Sequence, residues 1–365
     1  MDRRSFVAVA SALPLSVALP RAAAAQERTF APRPGRWRSF EITTRLEIVN
    51  AAGPTQAWVP VPAIATDWQQ SEAGSWGGNA ETARLVAEPV YGAAMVHARW
   101  REGETAPVIE VTSRIRTMDR SLDWNVRRAP DADRTVLALS LQPTTLMPTD
   151  GIVRDTAQKI VAGKATDVDR ARALYDWVVA NTYREPKVRG CGVGDIRAML
   201  ETGNLSGKCA DINALFVGLC RAAGLPARDV YGIRVAKSAF GYRELGAGSA
   251  DISKAQHCRA EVWLAGYGWV AMDPADVGKV LRLETPEWLK DPRHPVVAPV
   301  NAALFGGWEG NWMGYNVAHD LALPGSSGAR VGFLMYPQAE TRGERVDSLD
   351  PDTFKYRITA RETTA

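Results

Sequence analysis

The stretch from Gly207 to Arg228, G-K-C-A-D-I-N-A-L-F-V-G-L-C-R-A-A-G-L-P-A-R, decides the fold. Leu215, Leu219 and Ala222 recur on one face, which predicts a helix from Cys209 to Ala223. Gly224 supplies its C-cap and Pro226 prevents its continuation. Cys209 therefore stands on the first turn, where unpaired backbone N–H groups and the helix dipole stabilise a thiolate. Lys208 adds positive charge next door, and both effects lower the thiol pKa and raise the reactive fraction. The same N–H groups are suited to hold an oxyanion forming on a carbonyl. Asn204 is a further candidate donor, although loop capping explains it better. Cys220, farther along the helix, reads as buried packing. Gly203 to Lys208 is not a phosphate loop, because three residues rather than four separate its glycines and Cys follows Lys208.

A nucleophilic cysteine needs a base that later protonates the leaving group. Gln256 to Trp263, Q-H-C-R-A-E-V-W, reads as a strand carrying His257. Gly266-Tyr267-Gly268 turns the chain, and Trp269 to Pro274, W-V-A-M-D-P, returns as a strand ending in Asp273. In such a hairpin Asp273 can accept from the His257 ring and fix its tautomer. Cys258 should point away from His257, since strand side chains alternate, to pack against a helix or to bridge Cys220 or Cys191.

Upstream, the pattern from Arg36 to Ala129 is mostly strand. Ser39–Val49 and Val108–Arg116 alternate in hydrophobicity, and Ala57–Pro62 reads as an edge strand because proline cannot donate to a ladder. Ser71–Asn79, with Gly74, Gly77 and Gly78, reads as a loop. Short strands and polar turns predict a β-sandwich over residues 30–150. Helical periodicity follows, with Ala171, Leu174, Tyr175 and Val178 sharing a face. After a strand at Asp229–Val235, the Gly-, Ser- and Ala-rich segment Ala236–Lys254 reads as a loop bordering a cleft. Val331–Met335 and Thr353–Thr359 predict two further strands.

Composition narrows the partners. The chain has 365 residues, 44 basic and 41 acidic, for a net charge of +3, so no overall field draws it to nucleic acid. Its four histidines lie far apart and its four cysteines lack finger spacing, so no metal and no cofactor is expected. At the start, Arg3-Arg4, an apolar run from Val7 to Leu19 and Ala23-Ala24-Ala25 form an expected signal peptide over 1–25. Arg3-Arg4-Ser5-Phe6-Val7 fits the twin-arginine type, with Asp2 in place of its usual Ser or Thr. That leader implies a periplasmic or otherwise exported soluble protein. No later stretch is apolar enough for a membrane span.

The Gly207–Arg228 stretch resembles the nucleophile helix of the transglutaminase-like superfamily of papain-type thiol enzymes. His257–Val262 and Trp269–Pro274 resemble that superfamily's histidine and aspartate strands, and Trp308–Asn316 resembles a segment of its exported bacterial members. The motif core spans about residues 165–280. The resemblance implies an α+β fold, with a papain-like catalytic domain over 151–365 behind the N-terminal β-sandwich. It implies Cys209 as nucleophile, His257 as base and Asp273 as orienting partner. The reaction implied is acyl transfer on peptide or amide bonds through a thioester, with a peptide, protein or peptidoglycan-peptide substrate. Hydrolysis is preferred to capture by an amine, and a non-catalytic envelope binding module is the remaining alternative. Cys258-Arg259 and Ala275 depart from the family's usual residues, at positions suited to substrate or acceptor contacts. The leader reading predicts that mass spectrometry of protein from the periplasm finds an N-terminus within a few residues of Gln26; an intact Met1 there would contradict it.

Overall fold

The computed structural model describes residues 28–127, 131 and 133–363, so the expected leader at 1–25 lies outside the described residues. Its α+β architecture begins with the strand Arg38–Ile48, in which Phe40, Ile42, Leu46 and Ile48 are buried and alternate with more exposed neighbours. That alternation lets one face pack while the other meets solvent. The strand pairs antiparallel with Val108–Thr117 on one side and with Phe354–Thr363 on the other. A second sheet runs in the order Glu344–Val346, Gln338–Thr341, Thr55–Pro60, Ala94–Trp100, Thr82–Ala87. The two sheets share a core that includes Leu46, Val59, Trp100, Val111 and Phe354.

Segments beyond the expected division at residue 150 contribute to the β-rich unit. Gln338–Thr341, Glu344–Val346 and Phe354–Thr363 supply strands to both sheets, so the β-rich unit is closed by the C-terminal segment. Phe40, Ile42 and Ile115 belong to the same core as the helices, which ties the two regions together. Nor is Thr55–Pro60 an edge strand, since it lies between Gln338–Thr341 and Ala94–Trp100. Pro60 is tolerated because the first of these partners pairs only as far as Trp58. Within Ser71–Asn79, Ser75–Gly78 is a strand on Val108–Thr117 rather than loop. Gly78 has a φ of +144°, and a Cβ there would meet the Val108 carbonyl at 2.2 Å, so glycine is what lets this pairing close.

The site is carried by a four-stranded sheet in the order Gly268–Met272, Gln256–Leu264, Ala227–Arg234, Trp312–Asn316. The helix Cys209–Ala222 packs on it and is buried almost throughout. Asp167–Asn181 buries Ala171, Leu174, Tyr175 and Val178, the face that the periodicity predicts. Arg120 bolts the β-rich unit to the hairpin, donating to Glu261 at 2.6 Å and to the Trp269 carbonyl at 2.8 Å. Arg228 reaches the other oxygen of Glu261 at 2.7 Å. Both guanidiniums hold the buried Glu261 carboxyl below its usual range, although burial alone would raise it.

Phe354→Ala should cost about 3–5 kcal/mol in denaturant unfolding, because it opens the shared core where the C-terminal strand closes it. Lys355→Ala, on the exposed face of that strand, should stay within about 0.5 kcal/mol. Equal effects would show that the C-terminal strand is not part of the cooperative unit.

Candidate active site

The geometry begins with Asp211, two residues into the helix that Cys209 opens. Its Oδ2 accepts from the Lys208 N–H at 2.9 Å, and its Oδ1 accepts from the N–H groups of Val193 and Gly194 at 2.9 Å each. One carboxylate thus satisfies orphan donors at the helix start and pins the preceding loop to it. Gly192 and Gly207 make room, since a Cβ on either would fall within 2.4 Å of the Asp211 side chain. Another amide at the helix start, that of Ala210, is taken by the Cys191 carbonyl at 2.9 Å. The donors open to an oxyanion are therefore fewer than the helix terminus suggests. Asn204 is not among them, because its Oδ1 accepts from Ser206 N–H and Oγ–H at 3.2 and 2.7 Å and caps its own loop.

The hairpin brings His257 and Asp273 together. His257 Nε2 lies 2.7 Å from Asp273 Oδ2, both groups being almost wholly buried. Asp273 also caps the helix Pro274–Leu283, accepting from the Asp276 N–H at 3.1 Å with Pro274 in the first turn. Pro274 does more than stop a strand: it starts a helix, at the position where its missing N–H costs nothing. That helix brings in a second carboxylate, with Asp276 Oδ1 3.4 Å from His257 Nε2 and 2.6 Å from Arg234 Nη2.

The nucleophile candidate completes the group. The Cys209 thiol is 1% exposed and is buried in the same core as Cys191 and Cys258. Cys191, then Cys258, then His257 hold it well below an ordinary thiol, against the effect of burial. Its bond to Cys209 pushes Cys191 up, while burial and then the same bond push Cys258 up. Cys191 Sγ–H donates to the Gln256 carbonyl at 3.4 Å. Cys258 is buried in the core beneath the Cys209–Ala222 helix, which packs on its strand, the helix-packing alternative of the sequence reading. All four cysteines are free and buried, so no bridge joins Cys258 to Cys220 or Cys191. Burial alone sends Cys220 up, as suits a packing residue.

Burial disfavours a charge on His257, but Asp276 and then Asp273 raise its pKa to about 9. Asp273 is the nearer carboxylate, yet Asp276 carries the firmer negative charge. Burial and the neighbouring Asp276 push Asp273 up, whereas Arg234 and then His257 hold Asp276 well below the usual carboxylate range despite its burial.

Four supporting residues escaped the sequence reading. Asn213, one turn after Cys209, donates to Asp273 Oδ1 at 3.2 Å and to the Cys258 carbonyl at 2.8 Å, and accepts from the Ala275 N–H. Its spacing from Cys209 was a readable signal, as was the N-cap pattern that places Asp276. Arg234 and Arg259 had none. Arg259 lies with Nε 3.6 Å from Asp273 Oδ2, its guanidinium 5.1 and 4.7 Å from the rings of Trp308 and Trp312. Burial lowers its pKa to about 10. Trp312 Nε1–H also donates to the His257 carbonyl at 2.9 Å, so the Trp308–Asn316 segment forms a wall of the site.

Donor atoms of His257, Asp273 and Asp276 converge within 4.8 Å, close enough in principle for a cation. Arg234 and Arg259 already supply positive charge to those carboxylates, so a metal would have to displace or outcompete them. Beside His257 opens a cavity of about 220 Å³, bordered by Gly246–Gly248 of the predicted cleft loop.

The sequence model of the transglutaminase-like superfamily matches residues 154–274. An uncharacterised protein of Haemophilus influenzae is 37% identical over 337 residues, covering 87% of this chain and 89% of its own. Among solved structures, a proposed cysteine protease from Cytophaga hutchinsonii aligns over 90% of this chain and 99% of its own, at 17% identity and a TM-score of 0.50. The periplasmic domain of TgpA from Pseudomonas aeruginosa aligns over 76% and 98%, at 15% identity and a TM-score of 0.36. With a relative at 37% identity across most of both chains and the superfamily model over the helix and hairpin, this chain belongs to the transglutaminase-like superfamily.

Proposed function

We propose that the chain catalyses acyl transfer from an amide donor through a thioester on Cys209. The observation that carries this reading is a histidine whose Nε2 is 2.7 Å from a buried carboxylate, together with a buried helix-start thiol that His257 helps to hold below its ordinary value. Nε2 is committed to Asp273 and Asp276, which leaves Nδ1 to face the sulfur. The raised His257 and lowered Cys209 pKa values favour a thiolate–imidazolium pair at neutral pH. The thiolate attacks the donor carbonyl, and the Cys209 amide holds the developing oxyanion. The C–N bond then breaks as the His257 imidazolium passes its proton to the departing amine. An acceptor gives its proton to His257, attacks the thioester carbonyl and releases the thiolate.

The acceptor has two readings. Water makes the chain an amidase or protease, as the sequence reading preferred. An amine makes it a transamidase, and burial of the reacting groups favours this second reading: Cys209 and His257 are 1% and 2% exposed. A site that excludes water gives an amine its advantage at the thioester. Incubation of a glutamine peptide with a primary amine separates them, through the mass of the product.

Alkylation of Cys209 should titrate well below the ordinary thiol value of about 8.5 in the native protein and at higher pH in His257→Ala than in the native protein. A titration near 8.5 in both proteins would sink the reading and leave a non-catalytic binding module.

The proton on His257 also sets an upper pH limit. A histidine raised from 6.5 to about 9 stabilises the fold fully below 6.5 and loses that contribution as pH rises through about 9. Turnover should fall over the same upper range as the leaving group loses its acid. In Asp276→Asn the descending limb should move to lower pH, read from kcat/KM against pH with folding checked by circular dichroism. An unmoved limb would remove Asp276 from the proton's control.

A further inference from the structure

The cavity beside His257 is lined by four cations, Arg184, Arg234, Lys254 and Lys279, with Asp251 as the acid in that lining. Two of the cations are already committed. Arg234 is bound to Asp276 at 2.6 Å and to the Leu245 carbonyl at 2.8 Å. Lys279 Nζ donates to the Glu244 carbonyl at 2.7 Å and lies 3.3 Å from the Glu244 carboxylate. Asp251 is likewise committed, to Arg357 at 3.0 Å and to Ser253. Arg184 and Lys254 remain, and among the described residues neither has a carboxylate within ion-pair distance. Arg184 Nε is buried without any hydrogen-bond partner. An unpaired buried donor of this kind costs free energy that a ligand can recover.

Position gives the cation its meaning. Arg184 lies on a two-residue strand, Tyr183–Arg184, paired in parallel with Ser206–Gly207 immediately before Lys208 and Cys209. Arg184 therefore lines the cavity from a strand beside the start of the nucleophile helix. Across the cavity, Gly248 leaves open space, with nothing within 4 Å of where a Cβ would lie. A guanidinium fork matches a carboxylate in two parallel hydrogen bonds, and an exposed lysine adds charge at the rim.

We propose that this cavity seats a carboxylate of the acyl donor, with Arg184 as its principal partner and Lys254 at the rim, so that the substrate class is a peptide with a carboxylate close to the scissile carbonyl. The inference rests on the thiol acyl-transfer reading. The carboxylate has two sources, an acidic side chain or a free α-carboxylate.

The test measures second-order alkylation of Cys209 in the whole protein by iodoacetamide and by iodoacetate. Iodoacetamide alone reports the thiol, whereas the iodoacetate-to-iodoacetamide ratio reports the cavity's charge. The ratio should fall about 10-fold in Arg184→Gln, be largely restored in Arg184→Lys, and leave the iodoacetamide rate near wild type. An unchanged ratio in Arg184→Gln overturns the inference while leaving the thiol chemistry standing. A wild-type iodoacetamide rate no faster than an ordinary thiol's overturns both. Should Arg184→Gln fail to fold, protection of wild-type Cys209 from iodoacetamide decides instead. N-acetylglutamate α-amide protects if an acidic side chain is seated, and N-acetylglutamine protects if a free α-carboxylate is. N-acetylglutamine amide should not protect. Equal protection by all three compounds, or by none, rejects the carboxylate seat.

Discussion

Asp273 holds the site together through bonds to elements far apart in the chain. Its carboxylate takes the His257 ring from the neighbouring strand, the Asn213 amide from the nucleophile helix and the Asp276 N–H from the helix it caps. A carboxylate with no exposed surface carries a large desolvation penalty, which only several well-aligned donors can offset. The residue cannot move without unsatisfying three elements at once. Rigidity at this point positions His257.

The surroundings distribute charge so that no ion in the site is isolated. Two carboxylates, Asp273 and Asp276, meet one imidazole and two buried guanidiniums, Arg234 and Arg259. The division of labour follows from their neighbours. Asp276, bound to Arg234, keeps a firm charge and sustains the imidazolium, while Asp273 orients the ring. Trp308 and Trp312 cover Arg259 with aromatic faces, which accept a weakly hydrated guanidinium better than an ammonium. At this departure from the family's usual residues the cation finds its aromatics on another segment.

The β-rich unit bears on function through its attachment. Buried ion pairs from Arg120 and Arg228 to Glu261 fix the back of the hairpin that carries His257. The hairpin's partner strand, Ala227–Arg234, supplies Arg234 to the site from its last position. Phe40, Ile42 and Ile115 of the first sheet belong to the same core as the helices and the histidine strand.

By itself the sequence determined the elements whose signals are local. The Cys209 helix with its Gly-Leu-Pro stop, the buried face of Asp167–Asn181, and the turn that folds His257 back beside Asp273 all follow from periodicity and turn chemistry. The pairing of His257 with Asp273 was legible for the same reason. Tertiary structure decided what depends on segments distant in the chain. Phe354–Thr363 closes the sheet begun by Arg38–Ile48, and Thr55–Pro60 becomes an interior strand because a C-terminal strand pairs with it. Arg234, Arg259, Cys191 and Arg184 gain their roles only when loops and strands converge on the sulfur and the cavity. Hydrophobic spacing records which face of an element is buried, but a lone arginine or cysteine carries no mark of the partner it will meet, and that partner is set by packing across the whole chain.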